Sequence, residues 1–552
     1  MLRFRLVTLL SAAVVCCGIA MSAATPALAS HQQEAMFLDN GILRDPDGML
    51  GQLGRLGVER VRLFVAWYLV APNPYSRQRP RNFRASDPRS YPAAKWAPLD
   101  RALEVAREDH ISVDLDVGGL APLWATGKGA PPGKPALNWE PKANEYGAFV
   151  HALGVRYSGN YDPNTHSLSP GDPDALPPVH FWSVWNEPDY GPSLAPQGLP
   201  GHLTIEHSPW MYRDLLDAAW TALHQTDHAA DMVLFGEVAP RGYPNPESHL
   251  PFGVFNGMKP LQWLRALYCV DQNYRQLRGS AAAVRGCPTN AAGSRAFRSR
   301  HPALFNAAGF ADHPYSRWYP PNVEVHPDPD YSTLAEMPQL ERALDRLQRI
   351  YGSNTRFPIW NTEYGYITSP PKRKNARDPN PWVSPSTAAY YLNWAEYISW
   401  RDPRIASTMQ YLLTDPLPAI RTNDYGGFAS GLITFGGQPK ATYDAYRLPL
   451  FLPVTSTQRG RSLEVWGCAR PAKVASRNTG DPQLVAIQFQ ANSRGAFTTL
   501  QNLAITDPHG YFDTRVVFPS SGRVRISWSY PPVDAYSQPT PVYSRMVQIT
   551  VY

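Results

Sequence analysis

The stretch FWSVWNEPDY occupies residues 181–190. Phe181, Trp182, Val184 and Trp185 favour burial, whereas the carboxylate of Glu187 does not. An apolar, aromatic-rich run that ends on Asn186, Glu187 and Pro188 reads as a strand delivering an acid to its own end. A second stretch, FPIWNTEYGY at 357–366, repeats the design and ends on Glu363.

On either side of these two, short apolar runs alternate with helical patterns from about residue 34 to 453, the order expected of βα units around a parallel sheet. Strands are predicted at 35–38, 60–65, 111–117, 180–185, 232–235, 309–313, 358–362 and 408–413. Helical periodicity appears in Leu99-Ala102-Leu103-Ala106, in Leu340-Leu344-Leu347 and across 388–400. Eight strands with intervening helices predict an α/β chain folded as a (β/α)8 TIM barrel, whose active site gathers at the C-terminal strand ends. Glu187 then closes strand four and Glu363 strand seven, so both acids open on one face. Residues 241–304 and 369–385 are longer than barrel loops usually are, and the second is rich in Pro, Lys and Arg. Beyond 453 the pattern changes to short β-prone runs at 484–489, 514–518, 524–528 and 546–551, which predict a small C-terminal β-sandwich. The expected division is a signal peptide at 1–29, a barrel at 30–453 and the sandwich at 454–552.

The signal peptide is read from Arg3 and Arg5, the apolar run that follows them, and Ala27-Leu28-Ala29, with cleavage after Ala29. It implies a secreted, extracellular protein, and no later segment is apolar for long enough to span a membrane. The formal charge of +6 and the lack of a Lys/Arg block argue against a nucleic-acid partner. After export Cys269, Cys287 and Cys468 remain; the first two can close a local disulfide, and Cys468 reads as a buried thiol. Nothing in the sequence calls for a metal or other cofactor.

Two facing carboxylates suit glycosidic bond cleavage. One, protonated, gives its proton to the leaving oxygen; the other, ionised, attacks the anomeric carbon. WNEP at 185–188 together with IWNTEYG at 359–365 resembles clan A of the retaining glycoside hydrolases, with WNEPD most similar to family 39 and family 5 close behind. The resemblance implies Glu187 as acid/base and Glu363 as nucleophile, with Asn186 on the sugar 2-hydroxyl. His313 and Tyr315, in ADHPYS, match a His-x-Tyr pattern of family 5. Arg62, in RVRLFVAW, resembles the clan arginine that keeps the nucleophile ionised. One departure stands out: many members end strand eight on a Trp under the sugar, and MQYLLTD here leaves Tyr411 or a loop aromatic to take that place.

Trp67, Tyr190 and Trp318 are further candidates for stacking on sugar faces. Asp116, Glu237 and Asp415 also fall near predicted strand ends and read as surface or supporting carboxylates. The expected activity is hydrolysis of a β-linked oligo- or polysaccharide by double displacement, with the long loops and aromatics pointing to endo action. A carbohydrate-binding protein on an inactive barrel, or a transglycosylase using the same two carboxylates, remain as alternatives.

Overall fold

The computed structural model describes residues 32–131, 136–242, 256–324, 327–368, 382–417, 428–491 and 495–552. The proposed signal peptide and most of the 369–385 stretch lie outside the described residues. Eight strands form one parallel sheet: β1 (Glu34–Leu38), β2 (Arg60–Phe64), β3 (Ser112–Val117), β4 (Phe181–Val184), β5 (Met232–Val238), β6 (Gly309–Asp312), β7 (Ile359–Asn361) and β8 (Ser407–Tyr411). They neighbour one another in chain order, and β8 returns to pair with β1 from Glu34↔Ser407 to Leu38↔Tyr411. The last seam, β7 to β8, closes through a parallel bridge between Ile359 and Ile405 and the hydrogen bond from Ala406 N to Ile359 O at 2.8 Å. The chain is a TIM barrel with all eight expected strands, each within a few residues of its predicted bounds.

Alternation explains why several strands are less apolar than buried parallel strands usually are. In RVRLF of β2, Val61 and Leu63 are buried in the hydrophobic core. Arg60 and Arg62 point the other way, into the barrel, because successive side chains of a strand alternate faces. Arg60 lies over the ring of Phe181 at 4.2 Å and pairs with Glu34 at 2.8 Å. Helices with apolar stripes, such as Ala93–Glu108, Met337–Ile350 and Pro385–Arg401, bury Leu99, Leu340 and Ala388 among the core residues.

The 241–304 stretch holds short helices among its described residues: Pro260–Leu267, Gly279–Ala283, Ala291–Arg295, Phe297–Arg300 and Ala303–Asn306. Its Ala-rich parts favour this once a cap is available; Asn290 supplies one by accepting from Gly293 N. Cys269 and Cys287 form a disulfide there, and Cys468 is a buried free thiol.

The C-terminal part stacks a three-stranded antiparallel sheet, Leu450–Phe451, Ser462–Cys468 and Tyr511–Val517, against a larger sheet built on Leu484–Gln490 and Gly522–Tyr530. Val465, Ile487, Val516, Ile526 and Trp528 fill the space between them. Strands Ser462–Cys468, Thr498–Ala504 and Thr540–Tyr543 were not expected; the second, TTLQNLA, is an exposed edge strand too polar to show an apolar face. Leu450–Phe451, inside the stretch read as barrel, pairs with Ser462–Cys468.

The sandwich joins the barrel near the N-terminal strand ends. Gly57 caps helix Pro46–Leu56 at φ +80°, and a Cβ there would meet Arg470 O at 2.3 Å, so only glycine fits both demands. Just before β2, Glu59 accepts from His509 Nδ1 at 2.7 Å and pairs with Lys473. Arg470, 1% exposed, pairs with Glu396 at 2.6 Å, and Tyr511 OH donates to the same carboxylate oxygen at 2.9 Å. Removing Glu396 would strand a buried guanidinium, at a cost of about 3–5 kcal/mol. Glu396→Ala should therefore lower the calorimetric unfolding temperature clearly, with Glu396→Gln, which can still accept a hydrogen bond, falling between it and the parent chain.

Candidate active site

Arg62 sits inside the barrel with its side chain 1% exposed. Its Nη2 lies 2.8 Å from Asp116 Oδ2, 2.9 Å from Glu237 Oε2 and 2.9 Å from Asn186 Oδ1, and its Nη1 lies 3.2 Å from Glu363 Oε2. Strands β2, β3, β5 and the ends of β4 and β7 thus meet on one guanidinium. Tyr315 OH donates to the other Glu363 oxygen at 2.8 Å. His313, fully buried after β6, places Nδ1 3.0 Å from Glu187 Oε1 and Nε2 3.0 Å from Glu237 Oε2. The same Nδ1 is 3.6 Å from Glu363 Oε2. Thr362 OH also donates to Glu237 Oε2, at 2.7 Å.

Burial and charge compete throughout this cluster. Burial alone would lower the Arg62 guanidinium, but Glu237, Asp116 and Glu363 outweigh it and hold it above its ordinary value. Burial would likewise raise Glu237, yet Arg62 and His313 bring it down to about 2. For Asp116 burial wins and pushes the carboxyl up to about 7, because the guanidinium it pairs with is shared with two other acids. Asp114, also inward on β3, is pushed well above the usual range by burial and by Glu237. His313 would be lowered by burial, but Glu363, Glu187 and Glu237 hold it up at about 10.

The backbone is bent to make these contacts. Trp185 and Glu187 adopt φ of +63° and +43°, and Glu237 +52°, values that non-glycine residues take only when the surroundings impose them. Glu187 N donates to Glu237 O at 2.9 Å, which ties the two strained turns together. The β5–β6 pairing shifts register between Gly236 and Val238, placing Glu237 at the irregularity.

Glu187 and Glu363 both line a cavity of about 430 Å³, with Tyr190, Tyr315, Tyr411 and Phe428 in its wall. Phe428 contacts Tyr315 and Tyr411 with ring centroids 5.2 and 5.4 Å apart. Among the described residues no group of three or more His, Cys, Asp or Glu side chains is arranged to hold a metal ion.

Of the residues singled out in the sequence, Glu187, Glu363, Tyr315, Tyr190 and Tyr411 meet at the cavity, while Arg62, His313 and Asn186 reach the site through hydrogen bonds with its carboxylates and with one another. Trp67 is a correction: it is fully buried, stacked on Phe149 at 5.7 Å and edge-on to Trp124 and Tyr146, so it serves the core. Trp318 is half-buried, with the Arg317 guanidinium over its ring at 4.4 Å, and is not part of the cavity wall among the described residues. Asp415 pairs with Lys440 at 2.8 Å, apart from the cluster. Sequence reasoning overlooked Thr362, Phe428 and the central position of Glu237; only the proximity of Thr362 to Glu363 carried any signal.

No family model matches the chain, and no curated protein matches it. Among solved structures, it is similar to a family 39 glycoside hydrolase from Bacteroides cellulosilyticus WH2, at 13% identity over 89% of this chain and 80% of that one, TM-score 0.41. A GH39 enzyme from Xanthomonas axonopodis pv. citri matches at 12% identity over 89% and 93%, TM-score 0.45. A Bacteroides uniformis beta-glucuronidase 2 matches at 11% identity over 95% of this chain, TM-score 0.38, and the chain spans about half of it, 46%. At such identity and overlap these likenesses assign no activity.

The raised Asp116 has a consequence for stability. Its carboxyl ionises near 3.8 in an ordinary environment but near 7 in the fold, so between those values the folded chain holds an extra proton. Stability from this group is present at low pH and falls as pH rises from about 4 to 7. The unfolding temperature of the parent chain should drop across that window, and Asp116→Asn should flatten the drop when both are followed by calorimetry.

Proposed function

We propose that this chain is a glycoside hydrolase that cleaves β-linked oligo- or polysaccharide with retention of configuration, using Glu187 as acid/base and Glu363 as nucleophile. The observation that carries the reading is that both carboxylates line one cavity while one imidazole nitrogen lies 3.0 Å from Glu187 and 3.6 Å from Glu363. That nitrogen caps the separation of the two nearest oxygens at about 6.6 Å. That bound on one pair of oxygens admits the ~5–5.5 Å carboxyl separation typical of retaining enzymes.

With a sugar in the cavity, protonated Glu187 gives its proton to the leaving oxygen as Glu363 attacks the anomeric carbon. Arg62 and Tyr315 hold the two oxygens of Glu363 in line for that attack. A water then gives its proton to Glu187 and displaces Glu363, restoring both residues. Tyr411 and Phe428 offer ring surface for the sugar, in the place where relatives by resemblance carry a strand-eight Trp. The apolar leader at 1–29 and the disulfide support an exported enzyme; among the described residues no helix is long and apolar enough to cross a membrane.

The test is reducing-sugar release from a panel of β-glycans and bacterial exopolysaccharides by the parent chain, Glu187→Gln and Glu363→Gln. The parent should release sugar, with internal cuts visible as a spread of product lengths, and Glu363→Gln should release none. Glu187→Gln should lose about 10²–10⁴-fold on these substrates. Activity surviving in Glu363→Gln would overturn the nucleophile assignment, and binding without release by the parent would favour a carbohydrate-binding protein.

A further inference from the structure

Glu237 makes more contacts with the site than its absence from the cavity wall suggests. Its Oε2 receives hydrogen bonds from His313 Nε2 and Thr362 OH and lies 2.9 Å from Arg62 Nη2, while its backbone oxygen receives Glu187 N–H. It is fully buried, it holds a strained φ of +52°, and it sits at the β5–β6 register shift. A chain accepts a buried carboxylate and a strained backbone at one residue only where the surrounding structure demands them.

We infer that Glu237 is a positioning residue that keeps His313 doubly protonated, so that the imidazolium donates Nε2–H to Glu237 and Nδ1–H to Glu187 Oε1. The inference rests on the glycosidase reading of Glu187. With Oε1 occupied as an acceptor, the transferable proton of Glu187 sits on Oε2, available to the leaving oxygen. After that proton leaves, the new carboxylate keeps the Nδ1–H bond, and His313 neither gains nor loses a proton. Without the negative charge of Glu237, His313 would become neutral at lower pH, and its Nδ1 would then accept the proton of Glu187 and hold it away from the substrate.

Other charged groups face His313, Glu187 and Glu363 on the Nδ1 side among them, but among the described residues Glu237 is the carboxylate hydrogen-bonded to Nε2. Arg62 of β2 is positive and disfavours the imidazolium. Asp114 and Asp116 of β3 are raised by burial, as are Asp189 after β4 and Asp312 of β6. Glu363 after β7, 3.6 Å from Nδ1, adds to the charge that holds the imidazolium, while its oxygens also serve Arg62 and Tyr315. Tyr212 on helix Ser208–His224 donates to Val184 O and is raised out of the physiological range by burial.

The experiment measures kcat/KM against pH for the parent chain, Glu237→Gln and Glu237→Asp on two aryl β-glycosides, one bearing 2,4-dinitrophenol, which needs no acid to leave, and one bearing a poor leaving group such as phenol. In Glu237→Gln the alkaline limb on the phenyl glycoside should move down by a pH unit or more, with about a 10²-fold loss at its upper end. The dinitrophenyl glycoside should lose clearly less than the phenyl glycoside, and Glu237→Asp, which keeps the charge, should restore part of the limb. Equal losses on both leaving groups with an unmoved limb would mean a purely structural role and overturn the inference. Independently of any activity, ring-15N histidine spectra of the full chain, assigned through His313→Gln, should show both His313 nitrogens protonated at pH 7–8. A neutral His313 there would overturn the inference while leaving the glycosidase reading standing.

Discussion

A guanidinium buried among three carboxylates organises the interior of this barrel. Arg62 lies within 3.2 Å of Asp116, Glu237 and Glu363, each delivered by a different strand or strand end. In a poorly polarisable interior such charges interact strongly, and each is costly if left alone. One positive charge does not balance three acids; burial raises the Asp116 carboxyl, and a second cation at His313 offsets part of the rest. The strand ends are therefore held by electrostatics as well as by ladder hydrogen bonds, and the positions of Glu187 and Glu363 follow from where Arg62 and His313 are fixed.

The two ends of the barrel have different work. At the C-terminal strand ends the backbone is strained, at Trp185, Glu187 and Glu237, and the cavity opens there. Near the N-terminal ends the sandwich is docked through Gly57, Glu59 and the buried Arg470–Glu396 pair. This arrangement keeps the sandwich contacts away from the cavity and braces β2, the strand that carries Arg62, at its start. A rigid support of this kind is what a site needs when its polar groups must stay within fractions of an ångström.

Much of the architecture was legible in residue order. All eight barrel strands were readable from short runs bounded by turns, because their core-facing positions stay apolar even where Arg62, Asp114 and Asp116 alternate into the barrel. The motif pair around Glu187 and Glu363 was readable because the strand pattern and the acid stand next to each other in sequence. Edge strands such as Thr498–Ala504 were not, since a solvated strand has no apolar face to betray it. The reading of Trp67 as a sugar platform failed for a related reason: a strand-end aromatic can turn to the cavity or to the core, and only the neighbours Trp124, Tyr146 and Phe149 decide which.

The amino-acid order by itself determined the fold class, the strand ends that carry Glu187 and Glu363, and the cysteine pair able to bond. These are local matters of periodicity, composition and short-range spacing. Only the tertiary structure decided that Glu237 and Asp116 share Arg62, that His313 bridges Glu187 and Glu237, and that Phe428 joins Tyr315 and Tyr411 in the cavity wall. Those relations join residues far apart in the chain, and their energies depend on burial and on the sum of nearby charges, which no single stretch of sequence contains.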